Sequence, residues 1–390
     1  MSQTCNGQAI KNQFIVHFVD GHWEYPKAQS RGEFIESFVK PNLDKIDFVE
    51  PDQRISAYQF SPVTAPTGAE INNWGARAIN APVAWQNGAR GSGVIVAVVD
   101  TGVDITHPQL VNQIDYNRGE MGLDAQGRDK RTNGIDDDGN GYVDDWAGYD
   151  FLNNSGVISD DVGHGTHVSG IIAAEHSDTT IKTGYVQGVA PEAKILPVKF
   201  LDQNGGSLSD ALKGIDYAVM RGAKIINASW GGPGCAQSLR QKIQDLSNER
   251  VLFVAAAGNS GENLDLYPQY PAAFMSPLQL TVGAIANTLL QDDYSNYSKT
   301  LVNLFAPGTA IVSTVPSSLY PGGYASMTGT SMATPFVSGA AADLLSAHAG
   351  VTVQTVRQTL LQSVDQDPSY TNSTDGRLDV GKAVLAINAL

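Results

Sequence analysis

The stretch "GVIVAVVDTGVD", residues 93–104, joins a continuous apolar run to an aspartate and a glycine turn. A run of β-branched residues bounded by turn signals predicts a strand that is buried on both faces. Three further runs of this kind follow, at 194–201, 223–229 and 250–258, and helix-like stretches separate them. Strands that alternate with helices predict an α/β fold, in which a mostly parallel sheet carries helices on both faces. In such sheets the functional residues lie at the carboxyl ends of the strands.

The residues before this stretch show a different pattern. They follow the order strand, helix, strand over 13–19, 31–39 and 45–51, which predicts a small α+β unit. A polar, proline-containing segment without periodicity comes next and is typical of a linker. We therefore expect three parts, which are the small N-terminal unit 1–58, the linker 59–73 and the α/β domain 74–390.

The composition is that of a compact α/β enzyme. Of the 390 residues, 42% are hydrophobic and 17% are charged, and the formal net charge is −15. A chain this acidic is a poor partner for nucleic acid or for an anionic membrane surface, and no apolar run is long enough to span a bilayer. We expect neither nucleic-acid nor membrane partners, and a monomer.

The cysteines and the N-terminus give information about whether the protein is cytoplasmic or secreted. Cys5 and Cys235 are the two cysteines of the chain, which is too few for a disulfide framework or a zinc site. A single bridge and two separate thiols both remain open. The first residues lack the apolar core of a signal peptide, which leaves a cytoplasmic protein or a secreted protein whose signal lies outside this sequence. Of these two we expect the extracellular protein.

Four polar residues follow the predicted strands or open a helix. Asp100 ends the first strand, and Asn259 ends the run at 250–258, although either residue alone would usually form a turn. His164 lies between two glycines in "GHGTHVSG", where a lone histidine would more often be structural. Ser331, in "GTSMATP", precedes a helix-like run and could simply cap it. Together, in the order Asp, His, Ser, they are the parts that a serine nucleophile needs.

These residue types predict acyl transfer. His164 would take the proton of Ser331 as general base and return it to the leaving amine, and Asp100 would hold the imidazole in the required tautomer. Asn259 and the backbone N–H of Ser331 would donate hydrogen bonds to the oxyanion of the tetrahedral intermediate.

The motifs around these residues resemble the subtilisin-like serine protease (subtilase) family, from "NNWGARAINAPVAW" at 72–85 to "GRLDVGKAV" at 376–384. The order Asp, His, Ser is also that of the family. The resemblance implies a serine endopeptidase that binds its peptide substrate by main-chain hydrogen bonds to two short strands. The residues implied in substrate binding are Gly205, Gly206, Ser207, Ser229, Trp230, Gly231 and Gly232. We expect Leu266 near the floor of the primary pocket, and a preference for apolar or aromatic side chains.

The acidic stretch "NGIDDDGNGYVDD", residues 133–145, follows the start of an EF-hand calcium loop. Its alternating oxygen donors predict a Ca²⁺ site with the ligands Asp136, Asp138, Asn140, the Tyr142 carbonyl, Asp144 and Asp145. Ala147 stands where the closing glutamate of an EF-hand would be, and a solvated acidic loop is the alternative. We do not expect a second site that many subtilisins carry, because Gln109 replaces its aspartate.

The first 58 residues resemble a shortened subtilase propeptide, the segment that assists folding and then blocks the active-site cleft. Their closing stretch "VEPDQRISAY", residues 49–58, ends on an aromatic residue. We therefore expect autocleavage between Tyr58 and Gln59, with Tyr58 in the primary pocket and Ile55 in the apolar pocket beyond it. The alternative is an N-terminal extension without this role, because the usual propeptide is longer.

The sequence thus predicts a secreted, calcium-dependent serine endopeptidase, made as a self-processing zymogen, that acts on protein or peptide substrates. A dedicated processing protease with a narrow substrate remains the main alternative. An inactive subtilase-fold binding protein would need a damaged site, and a calcium-binding adhesion module would not explain "GHGTHVSG". An ester hydrolase would typically show a Gly-x-Ser-x-Gly elbow and the order Ser, Asp, His.

Overall fold

The computed structural model describes residues 7–58, 63–64, 73–176 and 185–390. In chain order its strands are β1 (Ala9–Phe18), β2 (Trp23–Glu24), β3 (Ile46–Ala57), β4 (Val63–Thr64), β5 (Ile95–Asp100), β6 (Tyr149–Asp150), β7 (Lys194–Lys199), β8 (Gly206–Ser207), β9 (Ile225–Ala228), β10 (Trp230–Gly231), β11 (Leu252–Ala256), β12 (Gln279–Ile285), β13 (Leu304–Pro307), β14 (Ile311–Thr314), β15 (Tyr324–Met327), β16 (Asp365–Gln366) and β17 (Gly376–Arg377). Its α-helices are α1 (Arg31–Phe34), α2 (Trp74–Ala78), α3 (Ala81–Gln86), α4 (His164–Ala173), α5 (Leu208–Met220), α6 (Gln237–Glu249), α7 (Thr330–Ala347), α8 (Val353–Gln362) and α9 (Val380–Ile387).

A nine-stranded sheet forms the centre of the larger part of the chain, in the order β16-β17-β13-β12-β11-β9-β5-β7-β6. All neighbouring strands in it are parallel except the short pair β16 and β17. The four apolar runs of the sequence become β5, β7, β9 and β11, which lie next to one another in this sheet. The predicted α/β fold class is therefore confirmed.

Helices cover both faces of the sheet. Val96 and Val98 of β5 belong to the apolar cluster that includes residues of α4 and α7, whereas Ala97 and Val99 belong to the cluster under α5 and α6. Successive side chains of a strand point to opposite faces, so β5 is buried on both sides, as its continuous apolar run predicts. Within the described ranges, every helix is too short or too polar to cross a membrane.

The N-terminal segment forms a small sheet of β1, β2 and β3 beside α1, with its own core of Phe14, Val16, Phe18 and Phe34. Ile15 and Ile55 face the other way and join the cluster under α5 and α6. The strand–helix–strand order follows the sequence, but β3 continues beyond the predicted end at residue 51 to Ala57. Its last residues leave β1 and pair with β8 and β10, which extends the strand. The segment is thus packed against the larger domain.

Candidate active site

The secondary structure brings the four candidate catalytic residues to one region. Asp100 is the last residue of β5, and Asn259 follows β11. His164 begins α4, and Ser331 lies in the first turn of α7, and these two helices pack against each other. The side chains of Asp100, His164 and Ser331 are fully buried. Because neighbouring parallel strands deliver their carboxyl ends to the same edge, polar residues that are far apart in sequence meet there.

Asp100 and His164 form a buried, hydrogen-bonded pair. The Nδ1–H of His164 donates to Oδ1 of Asp100 at 2.7 Å, and the backbone N–H of Thr101 donates to the same oxygen at 2.7 Å. This bond places the imidazole proton on Nδ1, so that Nε2 is the basic nitrogen. Burial lowers the pKa of His164, but the charge and hydrogen bond of Asp100, together with the charge of Asp160, outweigh burial and raise that pKa.

The buried carboxylate of Asp160, which the sequence analysis did not single out, fixes the turn before α4. It accepts hydrogen bonds from the backbone N–H groups of Gly163 at 2.8 Å and Thr166 at 2.9 Å. His167, the second histidine of the motif, is structural: its Nε2–H donates to the carbonyl of Ile311 at 3.0 Å. Burial, which is the larger cause, and the charge of His164 lower the pKa of His167 to about 3, so it stays neutral.

Ser331 is held at the start of α7 by reciprocal hydrogen bonds. Its Oγ–H donates to the carbonyl of Ser229 at 3.0 Å, and the Oγ–H of Ser229 donates to the carbonyl of Ser331 at 2.9 Å. The hydroxyl therefore lies at the N-terminus of an 18-residue helix, where the helix dipole favours developing negative charge.

Thr330 orients the predicted oxyanion donor, and sequence reasoning did not find it. The carbonyl oxygen of Asn259 accepts hydrogen bonds from the backbone N–H of Thr330 at 2.9 Å and from its hydroxyl at 2.8 Å. These bonds direct Nδ2 of Asn259 toward Gly329, where an added Cβ would lie 3.0 Å from that nitrogen and 3.7 Å from the backbone nitrogen of Ser331. Both donors thus face one small space, which suits a single oxyanion.

The predicted substrate strands hold the end of the N-terminal segment. Arg54 and Ile55 pair with β8, and Ser56 and Ala57 pair with β10, both in antiparallel register. Gly205 precedes β8 with a φ of 89°, and a Cβ on it would lie 2.4 Å from the carbonyl oxygen of Ile55. Of the remaining predicted residues, Ser207 also caps α5, whereas Gly232 exchanges backbone hydrogen bonds with Tyr270.

Tyr58 follows β3 and fills a gap between glycines. A Cβ on Gly231 would lie 2.3 Å from the Tyr58 hydroxyl oxygen, and a Cβ on Gly258 would lie 3.3 Å from its ring. Ile55, three residues earlier, is buried in the apolar cluster under α5 and α6. Tyr58 thus lies beside Gly231 and Gly258, whereas Ile55 packs into that apolar cluster. Gln59 lies outside the described residues.

Leu266 is a correction to the sequence analysis. We expected it near the floor of the primary pocket, but its side chain is 71% exposed. Gly231 and Gly258 are the residues whose missing Cβ atoms leave room for Tyr58.

Three acidic side chains converge beside the acidic loop. Glu120, Asp136 and Asp138 each offer one carboxylate oxygen within 4.8 Å of the others. Glu120 is fully buried; its Oε1 accepts from the backbone N–H groups of Asp137 at 2.6 Å and Asp138 at 3.0 Å, and its Oε2 has no partner. Burial raises the pKa of Glu120. A buried carboxylate oxygen without a donor, beside two further carboxylates, fits the all-oxygen shell that Ca²⁺ prefers.

The other predicted ligands are arranged differently. Asn140 remains beside the cluster, with its amide N–H donating to Asp138 at 3.4 Å and its carbonyl accepting from the backbone N–H of Tyr142 at 2.8 Å. The carboxylate of Asp144 accepts from the backbone N–H of Gly134 at 3.1 Å, and Asp144 has a left-handed φ of 56°.

Asp145, also predicted as a ligand, contacts both the loop and the protein interior. It accepts from the amide N–H groups of Asn140 at 3.1 Å and of Asn117 at 2.7 Å. Its fully buried carboxylate accepts from the hydroxyl of Tyr217 at 2.7 Å and from Arg221 at 3.3 Å. Asp144 and Asp145 are thus not among the three carboxylates that converge, whereas Glu120, which lies before the loop and which the sequence analysis did not name, is one of them.

Gln109 uses its whole amide within the protein. Its N–H groups donate to the carbonyls of Glu175 at 3.0 Å and Val186 at 2.8 Å, and its carbonyl accepts from the hydroxyl of Tyr324 at 2.8 Å. The amide of Gln109 is thus fully hydrogen-bonded within the protein.

Comparisons with known proteins agree with this geometry. A family model described as the subtilase family matches residues 91–380. The chain is 39% identical over 272 residues to the major intracellular serine protease of Bacillus subtilis, which covers 69% of this chain and 73% of that protein. It is 34% identical over 315 residues to thermitase of Thermoactinomyces vulgaris, covering 80% of this chain and 95% of the relative.

A more distant source gives a similar match. Subtilisin-like protease 1 of Plasmodium vivax is 35% identical over 325 residues, which is 78% of this chain and 49% of that protein. The family model spans well over half of the chain, and the residues that meet at the strand ends are the parts of a serine protease. The chain belongs to the subtilase family of serine proteases.

Proposed function

We propose that this subtilase is a secreted, calcium-dependent serine endopeptidase, made as a zymogen that cleaves its own chain between Tyr58 and Gln59. The observation that carries the proposal is the position of the segment from Arg54 to Ala57, which forms the middle strand between β8 and β10. A peptide substrate bound by strand addition would lie in the same way. The N-terminal segment therefore occupies the cleft as a substrate of the active site beside it.

Acylation is the first half of the reaction. Nε2 of His164 takes the proton of Ser331 as Oγ attacks the scissile carbonyl carbon, and the carbonyl oxygen becomes an oxyanion between Asn259 Nδ2 and the Ser331 backbone N–H. The imidazolium, stabilised by Asp100, then gives its proton to the leaving amine. The C–N bond breaks, and an acyl-enzyme on Ser331 remains.

Deacylation repeats these steps with water as the nucleophile. His164 takes a proton from the water as its oxygen attacks the ester carbonyl, and then returns that proton to Oγ of Ser331. The products are a carboxylic acid and the free enzyme. In the first turnover of the zymogen, the acid would be that of Tyr58 and the amine that of Gln59.

Two carboxylates of the N-terminal segment support docking at this site. Glu50 accepts hydrogen bonds from the backbone N–H groups of Gln237 at 2.9 Å and Ser238 at 3.0 Å, at the start of α6. Asp52, which is buried, accepts from the backbone N–H of Ser209 at 3.1 Å and from its hydroxyl at 2.7 Å, at the start of α5. Both carboxylates accept hydrogen bonds from backbone N–H groups that have no partner within the helix. Their negative charge is also stabilised by the helix dipole.

Sequencing the N-terminus tests self-processing. We expect the active enzyme to begin at Gln59, or within a few residues of it, and the Ser331→Ala form to keep residues 1–58. If both forms begin at the same residue, self-processing is wrong.

The pocket occupied by Tyr58 gives a matched pair of variants for the same assay. Tyr58→Glu would bury a charge in that pocket and should slow processing strongly. Tyr267→Glu, at a side chain that is 58% exposed, should process at the wild-type rate. Equal rates for the two variants would count against Tyr58 as the residue before the cleaved bond.

The oxyanion site predicts a loss of turnover in Asn259→Ala. We expect kcat to fall by about 10²–10³, the scale known for the corresponding donor in subtilisin, with KM nearly unchanged. Steady-state kinetics on a peptide substrate measure the effect, and Asn248→Ala, at an exposed position of α6, is the control. A loss that lies mainly in KM would assign Asn259 to substrate binding instead.

Calcium would bind at Glu120, Asp136 and Asp138, whose oxygens converge. The ion would supply positive charge that offsets the mutual repulsion of these carboxylates and would tie Glu120 to the loop. An ion bound only by the folded state stabilises it by mass action.

Chelation is expected to lower the thermal midpoint. At free calcium about 100 times its Kd, the ion would contribute about 2.7 kcal/mol, which corresponds to roughly 5 °C for a large domain. The melts should be run in the Ser331→Ala background, because self-digestion would otherwise follow unfolding. Asp136→Asn with Asp138→Asn should abolish the response to calcium, whereas Asp129→Asn, at an exposed ion pair with Arg131, should keep it. Identical melting curves in calcium and in excess chelator would contradict the proposal that calcium stabilises the folded protein.

An oxidising compartment is supported by Cys235, which is disulfide-bonded. Disulfides persist in secreted proteins and are rare in the cytosol. One of the relatives is named as an intracellular protease, so the cytoplasmic alternative has its own support. Finding Cys235 as a free thiol in the native protein would favour that alternative.

A further inference from the structure

The loop after β5 and the first turn of α4 are packed backbone to backbone. A Cβ added to Gly165 would lie 2.1 Å from the carbonyl oxygen of Gly102 and 3.3 Å from the Cβ atom of Asp100. A Cβ added to Gly102, which has a left-handed φ of 104°, would lie 2.1 Å from the carbonyl oxygen of Ser159. The two segments carry Asp100 and His164, so a shift between them would change the hydrogen bond that joins these side chains.

Two threonine hydroxyls connect the segments, and each makes the same pair of hydrogen bonds. The hydroxyl of Thr101, after β5, accepts from the backbone N–H of Gly165 in α4 at 2.9 Å. The hydroxyl of Thr166, in α4, accepts from the backbone N–H of Asp104, after β5, at 2.9 Å. Both hydroxyls donate to the buried carboxylate of Asp160, Thr101 at 2.9 Å and Thr166 at 2.6 Å. Each hydroxyl thus joins the two segments and also binds the same carboxylate.

Asp160 determines the direction of these hydrogen bonds. Its Oδ1 also accepts from the backbone N–H groups of Val162 at 3.1 Å and Gly163 at 2.8 Å, and its Oδ2 from that of Thr166 at 2.9 Å. Burial raises the pKa of Asp160, and the hydrogen bonds that it accepts act against burial. Its five partners are all donors, which suits the ionised form. Because a carboxylate has no proton to donate, both hydroxyls must donate to it and keep their lone pairs for the N–H of the opposite segment.

We propose that Asp160 is a positioning residue for catalysis, which holds His164 against Asp100 by fixing the hydroxyls of Thr101 and Thr166. The proposal rests on the triad mechanism proposed above. The backbone N–H of Thr101 donates to Oδ1 of Asp100 at 2.7 Å, so a single residue links Asp160 to the carboxylate that orients the imidazole. Asp160 therefore acts through the triad and not on the substrate.

Asp160→Asn is expected to lower kcat by about 10² with KM nearly unchanged, since a misplacement of about 1 Å can cost this much in rate. Each oxygen of Asp160 accepts from a hydroxyl and from a backbone N–H, so an NH₂ group in either place meets donors. The hydroxyl there must turn its proton away and no longer accepts the N–H of the opposite segment. Steady-state kinetics on a peptide substrate, with enzyme processed by another protease, measure the loss. Asp161→Asn, whose carboxylate is 74% exposed, is the control and should keep wild-type kcat.

The pH profile separates positioning of the base from a general structural role. Burial lowers the pKa of His164, and Asp100 and Asp160 together raise it by more. The other titratable groups beside them stay neutral, because burial lowers the pKa of His167 to about 3 and raises that of Tyr320. Only the neutral imidazole acts as base, so kcat/KM falls as the pH drops through the His164 pKa. Asp160→Asn should therefore move the acid limb to lower pH, whereas a loss of structure alone would lower the profile without moving it.

A pair of variants at Thr101 tests the same link without touching a charge. Thr101→Val removes the hydroxyl at nearly constant shape and should lower kcat about as much as Asp160→Asn does. Thr101→Ser keeps the hydroxyl and should lose far less. Both variants keep the backbone N–H that binds Asp100, so their difference reports the hydroxyl alone. Equal kcat values for Thr101→Val and Thr101→Ser would overturn the proposal, even if Asp160→Asn did not fold.

The His164→Ala background gives the decisive comparison. A residue that acts only through the imidazole has nothing left to act on there, so adding Asp160→Asn should cause no further loss of the residual activity. A further loss as large as in the wild type would assign Asp160 a structural role and overturn the proposal, as would wild-type kcat in Asp160→Asn. Full activity of His164→Ala itself would overturn the triad mechanism and this proposal with it, so the two failures are distinguishable.

Discussion

Replacing Ser331 with alanine is expected to lower kcat for peptide hydrolysis by about 10⁶, the scale known for the nucleophile of subtilisin. The loss is this large because Asp100 and His164 act only through the serine oxygen. What remains is the catalysis that binding and the oxyanion donors provide, about 10³–10⁴ over the uncatalysed reaction. Steady-state kinetics on a peptide substrate, with the enzyme fully processed by another protease, measure the change.

A covalent probe and a control serine sharpen this test. A fluorophosphonate should label Ser331 in the wild type and should fail to label the His164→Ala form. Ser318→Ala, at an exposed turn, should retain wild-type turnover. If the Ser331→Ala form kept more than about a thousandth of wild-type activity, the triad assignment would be wrong.

The second large effect is expected in Asp100→Asn, which should lower kcat by about 10⁴ near neutral pH. The carboxylate accepts the Nδ1–H of His164 at 2.7 Å. An amide can instead donate to Nδ1, which would favour the tautomer with its proton on Nε2, the nitrogen that must accept the proton of Ser331. The fold should persist, because the two side chains have nearly the same shape.

The pH dependence of this variant has a defined direction. Only the neutral imidazole can act as base, so kcat/KM is maintained above the His164 pKa and falls as the pH drops through it. With the N-terminal segment docked, burial lowers the pKa of His164, but the charge and hydrogen bond of Asp100, together with the charge of Asp160, raise it by more. Removing the charge should therefore move the acid limb of the profile to lower pH. Asp161→Asn, whose carboxylate is 74% exposed, is the isosteric control, and an unshifted acid limb in Asp100→Asn would contradict the electrostatic role.

The residues at the strand ends could be predicted because they are polar and directly follow an apolar run. Asp100 and Asn259 each end an apolar run, and parallel strands carry their ends to one edge of the sheet. Thr330 could not be found in this way, because its role depends on a carbonyl oxygen that approaches from a distant loop.

The acidic loop shows where sequence spacing fails. The EF-hand pattern takes every ligand from one loop, whereas the carboxylate cluster beside this loop also contains Glu120, from a separate 3₁₀ turn, Arg118–Glu120. The carboxylate of Asp144 accepts from the backbone of Gly134, and Asp145 accepts from Tyr217 and Arg221 as well as from Asn140. Each of these outcomes is set by tertiary contacts that spacing does not encode.

The two-residue strands β8 and β10 have a consequence for the proteins that this enzyme can cut. They hold the segment from Arg54 to Ala57 by its backbone, in a fully extended form. A helix or an internal strand has its backbone groups already paired, so a folded target must first open locally around the bond to be cleaved. When opening is fast relative to cleavage, the rate follows the population of the open form. Each 1.4 kcal/mol of local stability in a target should then slow its cleavage about tenfold. The rate at which a protein is cut would thus depend on its local stability as much as on its sequence.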